Sequence, residues 1–164
     1  AAKFPPLGGR SYGGRRPIDL WGRTYSDTAN AQTMLIVQIE SPQAIENAER
    51  IAAMDGVDGL FLGPDDIMLR RGYPMTAPYT KETLGKDMEA VVRACRKAGK
   101  IAVCVGFGAE MFKLCVETGF QMIVGGGDVP FLANSSAATS KEMRAILGGM
   151  KATPTATTAV ASPY

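Results

Sequence analysis

The sequence predicts an α/β fold in which helices cover a parallel β-sheet. Short apolar runs alternate four times with segments of helical periodicity. The apolar runs are nearly unpatterned, as in strands that are buried on both faces. Glycine follows several of the helical segments, a position at which it commonly ends a helix. Alternating strands and helices of this kind build parallel sheets.

The first two units follow residues 1–33, a Gly-, Pro- and Arg-rich stretch that we expect to form a long loop with a short helix. Residues 34–39 are the first predicted strand. Ser41-Pro42 then supplies an N-cap and a proline at the first helical position. The second predicted strand is 59–63, and a long return loop connects it to a helix over 81–98.

The third and fourth units are shorter. Residues 101–105 predict a strand and 109–118 a helix, and 121–124 predict the last strand before a helical region that reaches 147. The α/β domain is therefore expected over 34–147. The Gly-, Thr-, Pro- and Ala-rich residues 148–164 have the composition of a disordered tail.

Two architectures fit four such units. A doubly wound open sheet is complete with four or five parallel strands. A (β/α)8 barrel needs eight strands and typically about 250 residues, so a chain of 164 residues would supply half of it. The pattern alone leaves both open.

Composition argues against several classes of partner. The net charge is only +2 and no basic run exceeds two residues, so nucleic acid is not expected. No apolar stretch approaches the ~20 residues that span a membrane, and Pro5 and Pro6 interrupt the apolar segment of a signal peptide. We expect a cytoplasmic protein with reduced, buried thiols. These thiols are Cys95, Cys104 and Cys115.

The sequence contains no histidine. An imidazole base or an imidazole metal ligand therefore cannot come from these 164 residues.

Carboxylates follow the first two predicted strands. Glu40 closes the strand 34–39, and Asp66 stands just past the strand 59–63. Neighbouring strands lie about 4.8 Å apart, so the two side chains can converge. Two anionic oxygen donors suit Mg²⁺ or Mn²⁺. Alternatively, Glu40 stabilises the start of a helix and Asp66 caps a turn.

The run Gly125-Gly126-Gly127 allows another interpretation. Its bare amides could cradle a phosphate after the last strand, as part of an open-sheet binding module. It could equally be a tight turn before Pro130.

Three segments follow one another along the chain: "KFPPLGGRSYGG", "MLIVQIESPQAIENAERIAAMDGVDGLFLGPDDI" and "VGGGDVPFL". Together they resemble the HpcH/HpaI class II aldolase family, over about residues 3–147. It implies a (β/α)8 TIM barrel of which this chain forms strands five to eight. It also implies a divalent-metal-dependent lyase that reversibly cleaves a 4-hydroxy-2-oxo acid into pyruvate and an aldehyde.

The resemblance also assigns roles to particular residues. Glu40 and Asp66 would bind the metal, Mg²⁺ or Mn²⁺ with Co²⁺ as a further candidate. Gln38 points the same way as Glu40 by strand alternation and would help to hold the substrate. The backbone around Asp65 and Asp66 would receive the carboxylate of pyruvate.

Two features depart from the family pattern. Relatives usually carry a small residue where this chain has Asp65, whose carboxylate would repel the substrate or raise a neighbour's pKa, unless it points to solvent. The family's base histidine and its arginine belong to the first half of the barrel, so no catalytic residue is expected here. The alternative is therefore a non-catalytic remnant that binds metal, a 2-oxo acid or a partner chain.

Half a barrel would leave the strands 34–39 and 121–124 as open edges. We expect Leu35, Val37 and Ile39, or their alternates, to face the missing half. Exposed apolar edges pair with other strands. A homo-oligomer, or association with a chain that bears the first half, is therefore expected.

Overall fold

The computed structural model describes residues 2–148, which divide into two compact units between Gly125 and Gly126. The first unit contains four strands, seven α-helices and one π-helical turn within the described residues. Their bounds are α1 (Arg15–Trp21), α2 (Tyr25–Gln32), β1 (Ile36–Ile39), α3 (Pro42–Glu46), α4 (Ala48–Ala52), β2 (Gly59–Leu62), α5 (Pro64–Arg70), the π turn (Lys81–Gly85), α6 (Lys86–Ala98), β3 (Ile101–Val105), α7 (Ala109–Thr118) and β4 (Met122–Val124).

The four strands form one parallel sheet whose spatial order follows chain order, β1-β2-β3-β4. Ile39 pairs with Leu62, Leu62 with Cys104, and Cys104 with Ile123. The predicted parallel sheet is confirmed. Within the described sheet β1 and β4 are the edges, as expected for these two strands.

The two faces of the sheet differ in what covers them. Ile39, Leu60, Leu62 and Cys104 are fully buried in a core that helices α4 and α6 share. Because side chains alternate along a strand, the intervening residues point to the other, more open face of the sheet. On this face Ile36 pairs in register with Gly59, and Gln38 pairs with Phe61. Met122 and Val124 of β4 are each 39% exposed.

This assignment decides between the two sets of β1 side chains that the sequence left open. Val37 and Ile39 pack with the helix-covered core, so they do not face the open side. The alternates Ile36 and Gln38 occupy that side. Leu35 precedes the strand and is 36% exposed.

The segment 64–80 also differs from its prediction as a loop, because α5 (Pro64–Arg70) forms within it. Pro64 at the first helical position and acidic residues in the first turn favour a helix start. Ile67 and Met68 are buried, which fixes the helix against the core. Residues 1–33 likewise contain two short helices rather than one.

A partly buried ion pair joins the end of α5 to α6. Arg71 donates to both carboxylate oxygens of Asp87, at 2.6 and 3.2 Å, and the side chain of Asp87 is only 8% exposed. The carboxylate raises the pKa of Arg71 through its hydrogen bonds and its charge. This bidentate contact helps to fix the orientation of α5.

The second unit is described by helix α8 (Asp128–Gly148), which matches the predicted helical region to 147. None of the helices described over residues 2–148 combines the length and the apolar character that crossing a membrane requires. The predicted tail over 148–164 lies, beyond its first residue, outside the described residues.

Candidate metal and substrate site

Gln38 and Glu40 meet at the carboxyl end of β1. Gln38 is the third residue of the strand, and Glu40 lies directly after its last residue. The Nε2 atom of Gln38 donates a hydrogen bond of 2.7 Å to Oε2 of Glu40. The amide therefore orients one carboxylate oxygen and leaves the other, Oε1, for a further ligand.

Gly63 allows the next strand to approach this pair closely. Its N–H donates to the carbonyl of Ile39 at 2.9 Å, so the corner between β2 and α5 lies beside the end of β1. A Cβ atom at this position would lie 3.0 Å from Nε2 of Gln38 and 3.1 Å from Cβ of Glu40. A side chain here would therefore displace the Gln38–Glu40 pair.

Asp65 and Asp66 lie in the first turn of α5, directly after that corner. Their charges are favourable near the positive end of a helix. Oδ1 of Asp66 lies 3.9 Å from Nη2 of Arg70, and both side chains are about half exposed. An exposed pair at this separation is weak, so Asp66 keeps its capacity to bind a cation.

A cavity of about 210 Å³ lies beside these residues at the carboxyl end of the sheet. Three of the four predicted site residues line it, and the fourth, Glu40, adjoins it through its hydrogen bond to Gln38. The lining residues are Gln38, Phe61, Gly63, Pro64, Asp65, Asp66, Tyr79, Val105, Phe107 and Met111.

Asp65 accepts a hydrogen bond from the hydroxyl of Tyr79. Burial raises the pKa of Tyr79 to about 12, and the hydrogen bond and charge of Asp65 add to this effect. The phenol therefore stays protonated near neutral pH and acts as a donor. Asp65 is an exposed residue that nevertheless lines the cavity and accepts this hydrogen bond.

Other potential metal ligands do not join the site. Within residues 2–148 no group of three or more His, Cys, Asp or Glu side chains could hold a metal ion. Cys95, Cys104 and Cys115 are free and buried, as predicted. A cation bound by Glu40 and Asp66 would thus complete its coordination with oxygen atoms from water or substrate.

The profile of the HpcH/HpaI aldolase/citrate lyase family matches residues 3–135. This chain belongs to the HpcH/HpaI family. The matched residues include Glu40, Asp66 and every residue that lines the cavity. The predicted family is thereby confirmed.

The relatives of this HpcH/HpaI chain are longer than the chain itself. A 2-keto-3-deoxy-L-rhamnonate aldolase from Klebsiella pneumoniae subsp. pneumoniae is 34% identical over 131 residues, which cover 78% of this chain and 48% of the relative. The chain therefore spans about half the length of the curated relatives it matches.

Solved structures of the family share the fold. An HpcH/HpaI aldolase/citrate lyase family protein from Burkholderia cenocepacia J2315 superposes with a TM-score of 0.69 at 31% identity, covering 87% of this chain and 57% of that one. An HpcH/HpaI aldolase from Desulfitobacterium hafniense DCB-2 has the same TM-score at 28% identity, with 87% and 56% covered. The predicted fold class, part of an HpcH/HpaI α/β fold, is confirmed.

Tyr79 is the site residue that the sequence interpretation missed. It lies in the connection from α5 to the π turn, far along the chain from Gln38. One local indication was available, since Tyr79 directly precedes Thr80, whose side chain accepts from the N–H of Thr83 in a capping box. A hydrophobic residue before an N-cap usually packs back onto the helix.

Two residues of the triple glycine, Gly126 and Gly127, belong to the second unit. The ring of Phe131 fills the space beside Gly126, where a Cβ would clash with it. Asp128, the first residue of α8, accepts a hydrogen bond of 2.9 Å from the N–H of Val129. A carboxylate at this helix start disfavours a second anion.

Proposed function

We propose that this chain supplies the metal-binding part of a carbon–carbon lyase of the HpcH/HpaI type. Its substrate class would be 4-hydroxy-2-oxo acids, cleaved reversibly into pyruvate and an aldehyde. The observation that carries the proposal is the packing of Gln38 and Glu40 against Gly63, three residues before Asp66. It brings the ends of β1 and β2 together at one cavity.

The donor set suits a hard divalent cation, Mg²⁺ or Mn²⁺, with Co²⁺ as a further candidate. Glu40 and Asp66 offer only carboxylate oxygens, which these cations prefer. The absence of a Cβ at Gly63 keeps the space next to Glu40 free of a side chain. When bound, the cation would supply positive charge beside the oxygens of a 2-oxo acid.

The chain's own residues would position the substrate. Gln38 lines the cavity and orients Glu40. The backbone around Asp65 and Asp66, in the first turn of α5, would receive the carboxylate of the 2-oxo acid. Phe61, Phe107 and Met111 line the same cavity with apolar surface.

Cleavage of the carbon–carbon bond also needs a base that removes the proton of the 4-hydroxyl group. No histidine is present in this sequence. We propose that the base comes from outside these 164 residues, from a chain that supplies the first half of a barrel. The free thiols are consistent with a cytoplasmic location.

Calorimetric titration with Mn²⁺ and then with pyruvate tests the proposal. We expect Mn²⁺ to bind and to strengthen pyruvate binding, and we expect Glu40→Gln to weaken Mn²⁺ binding by on the order of a hundredfold, through loss of one charged ligand. Glu89→Gln is the matched control, because Glu89 is exposed on α6. Mn²⁺ binding that is equal in both variants would remove the proposed metal site.

The absence of histidine favours a second candidate function, that of a non-catalytic remnant. Such a chain would bind metal and a 2-oxo acid, or a partner chain, without turnover. Exchange of the methyl protons of pyruvate with deuterium separates the two candidates, because exchange requires a base. Exchange by the chain together with a chain that supplies the first half of a barrel would support the lyase, whereas metal and pyruvate binding without exchange in that mixture would support the remnant.

A further inference from the structure

One wall of the cavity carries a negative charge that the proposed metal site does not use. Asp65 and Tyr79 both line the cavity, and the tyrosine hydroxyl donates to Oδ1 of Asp65. This bond fixes the carboxylate relative to the loop that carries Tyr79. The carboxylate therefore has a defined position beside Asp66, its neighbour in α5.

Nothing cationic among the described residues neutralises Asp65. The ion pairs found over residues 2–148 do not include it, and Arg70 approaches Asp66 instead, at 3.9 Å. The second oxygen, Oδ2, accepts no hydrogen bond from the described part of the chain. It is thus available to a hydroxyl group that enters the cavity.

We propose that Asp65, held by Tyr79, determines which aldehyde portion the site accepts. The pair would favour a 2-oxo acid whose far end is neutral and hydroxylated, and would exclude one that carries a second carboxylate. This inference rests on the proposed function, because it assumes that the 2-oxo acid end binds beside Glu40 and Asp66.

Charge and size support this selectivity. Two like charges within about 8 Å at a protein surface repel by enough to change an affinity on the order of tenfold or more. The other side chains that line the cavity near this wall, including Phe61, Phe107 and Met111, offer no compensating positive charge. A volume of about 210 Å³ keeps a small ligand close to Asp65.

The test compares two ligands that differ only at the far end. 5-Hydroxy-2-oxopentanoate ends in a hydroxymethyl group and 2-oxoglutarate in a carboxylate, and neither has the 4-hydroxyl that cleavage needs. Dissociation constants are measured by calorimetry with Mn²⁺ present. We expect the full chain to bind the hydroxylated ligand more tightly by about tenfold or more.

Substitutions separate charge from shape. Asp65→Asn should bring the two dissociation constants to within about twofold of each other, while Asp55→Asn, at an exposed position outside the cavity, should leave their ratio unchanged. Tyr79→Phe keeps the charge, so 2-oxoglutarate should stay excluded, and the hydroxylated ligand should bind about fivefold more weakly because Asp65 loses its orienting bond.

A titration with pyruvate distinguishes a failure of the proposed function from a failure of this inference. If pyruvate does not bind with Mn²⁺, the proposed function fails and this inference fails with it. If pyruvate binds but Asp65→Asn leaves the ratio unchanged, only the inference is overturned. Tight binding of 2-oxoglutarate by Tyr79→Phe would also overturn it, since the charge of Asp65 is still present in that variant.

Discussion

Gly63 shows how one residue without a side chain can organise a site. The side chains of Gln38 and Glu40, at the end of β1, come within 3.0 and 3.1 Å of the position that a Cβ at Gly63 would take. Contacts this short leave no room for a methyl group unless Gln38 and Glu40 move. The backbone of Gly63 has a φ of −91°, which other residues adopt freely, so the requirement for glycine comes from packing.

We therefore predict that Gly63→Ala weakens Mn²⁺ binding on the order of tenfold, because a clash of about 1–2 kcal/mol would shift Glu40. Calorimetry measures the binding, and circular dichroism checks that the fold is kept. Gly14→Ala is the matched control, since no atom lies within 4 Å of its added Cβ and its φ is −80°. Equal Mn²⁺ affinities in the two variants would contradict the prediction.

At the scale of elements, the sequence predicted those features that depend on local chemistry. The bounds of β3 and α7 agree with the apolar run 101–105 and the helical segment 109–118. Glu40 and Asp66 were candidates because they follow two predicted strands, whereas Gln38 was a candidate only through the family resemblance. Helix α5 was not predicted, because Gly72 and Pro74 lie further along the segment 64–80 and the whole segment was interpreted as a loop.

The Asp65–Tyr79 contact has a different character. It joins two residues 14 positions apart, one in a helix and one in a loop. No periodicity connects such positions, and the loop path that brings them together depends on the packing of Tyr79 against the core. Tertiary contacts of this kind follow from the assembled fold and are not encoded in any local pattern.

An ion pair links helices α4 and α6 on the surface, and it gives a pH-dependent prediction. The hydrogen bond from Lys97 to Glu49, 2.6 Å long, lowers the pKa of Glu49 below its ordinary value of 4.5, and the charge of Lys97 adds to this. A lowered folded-state pKa means that the stabilisation is present above the unfolded-state pKa and disappears as pH falls through the folded-state value.

Glu49→Gln should therefore lower the urea midpoint slightly at pH 7, and the difference from the unsubstituted chain should vanish as the pH falls below 4.5. Urea unfolding at several pH values measures this. Glu89→Gln, on the exposed surface of α6, should show no comparable pH-dependent difference. A destabilisation by Glu49→Gln that persists at low pH would point to packing instead of charge.

At the scale of the whole molecule, the described sheet has two edge strands, β1 and β4. In the described sheet β1 and β4 each have one neighbour, and the side chains of Met122 and Val124 on β4 are partly exposed. Unpaired strand edges with apolar side chains tend to associate. We expect that the purified chain does not sediment as a compact monomer.

A charge on β4 should reduce this association. Val124→Lys places a cation on the edge strand, which blocks pairing between strands, and we expect its sedimentation coefficient to move toward the monomer value. Val116→Lys is the control, because Val116 is 55% exposed on helix α7, away from the sheet edge. Identical sedimentation of both variants, or a monomeric unsubstituted chain, would contradict the prediction.

The agreement between strand order and chain order has a consequence for synthesis on the ribosome. Each strand pairs with the one made just before it, so every new unit finds its template already in place as it emerges. The residues that line the Gln38–Tyr79 side of the cavity are translated before α6. A nascent chain should therefore protect β1 and β2 from hydrogen exchange once α6 has emerged to cover them, ahead of the final helix.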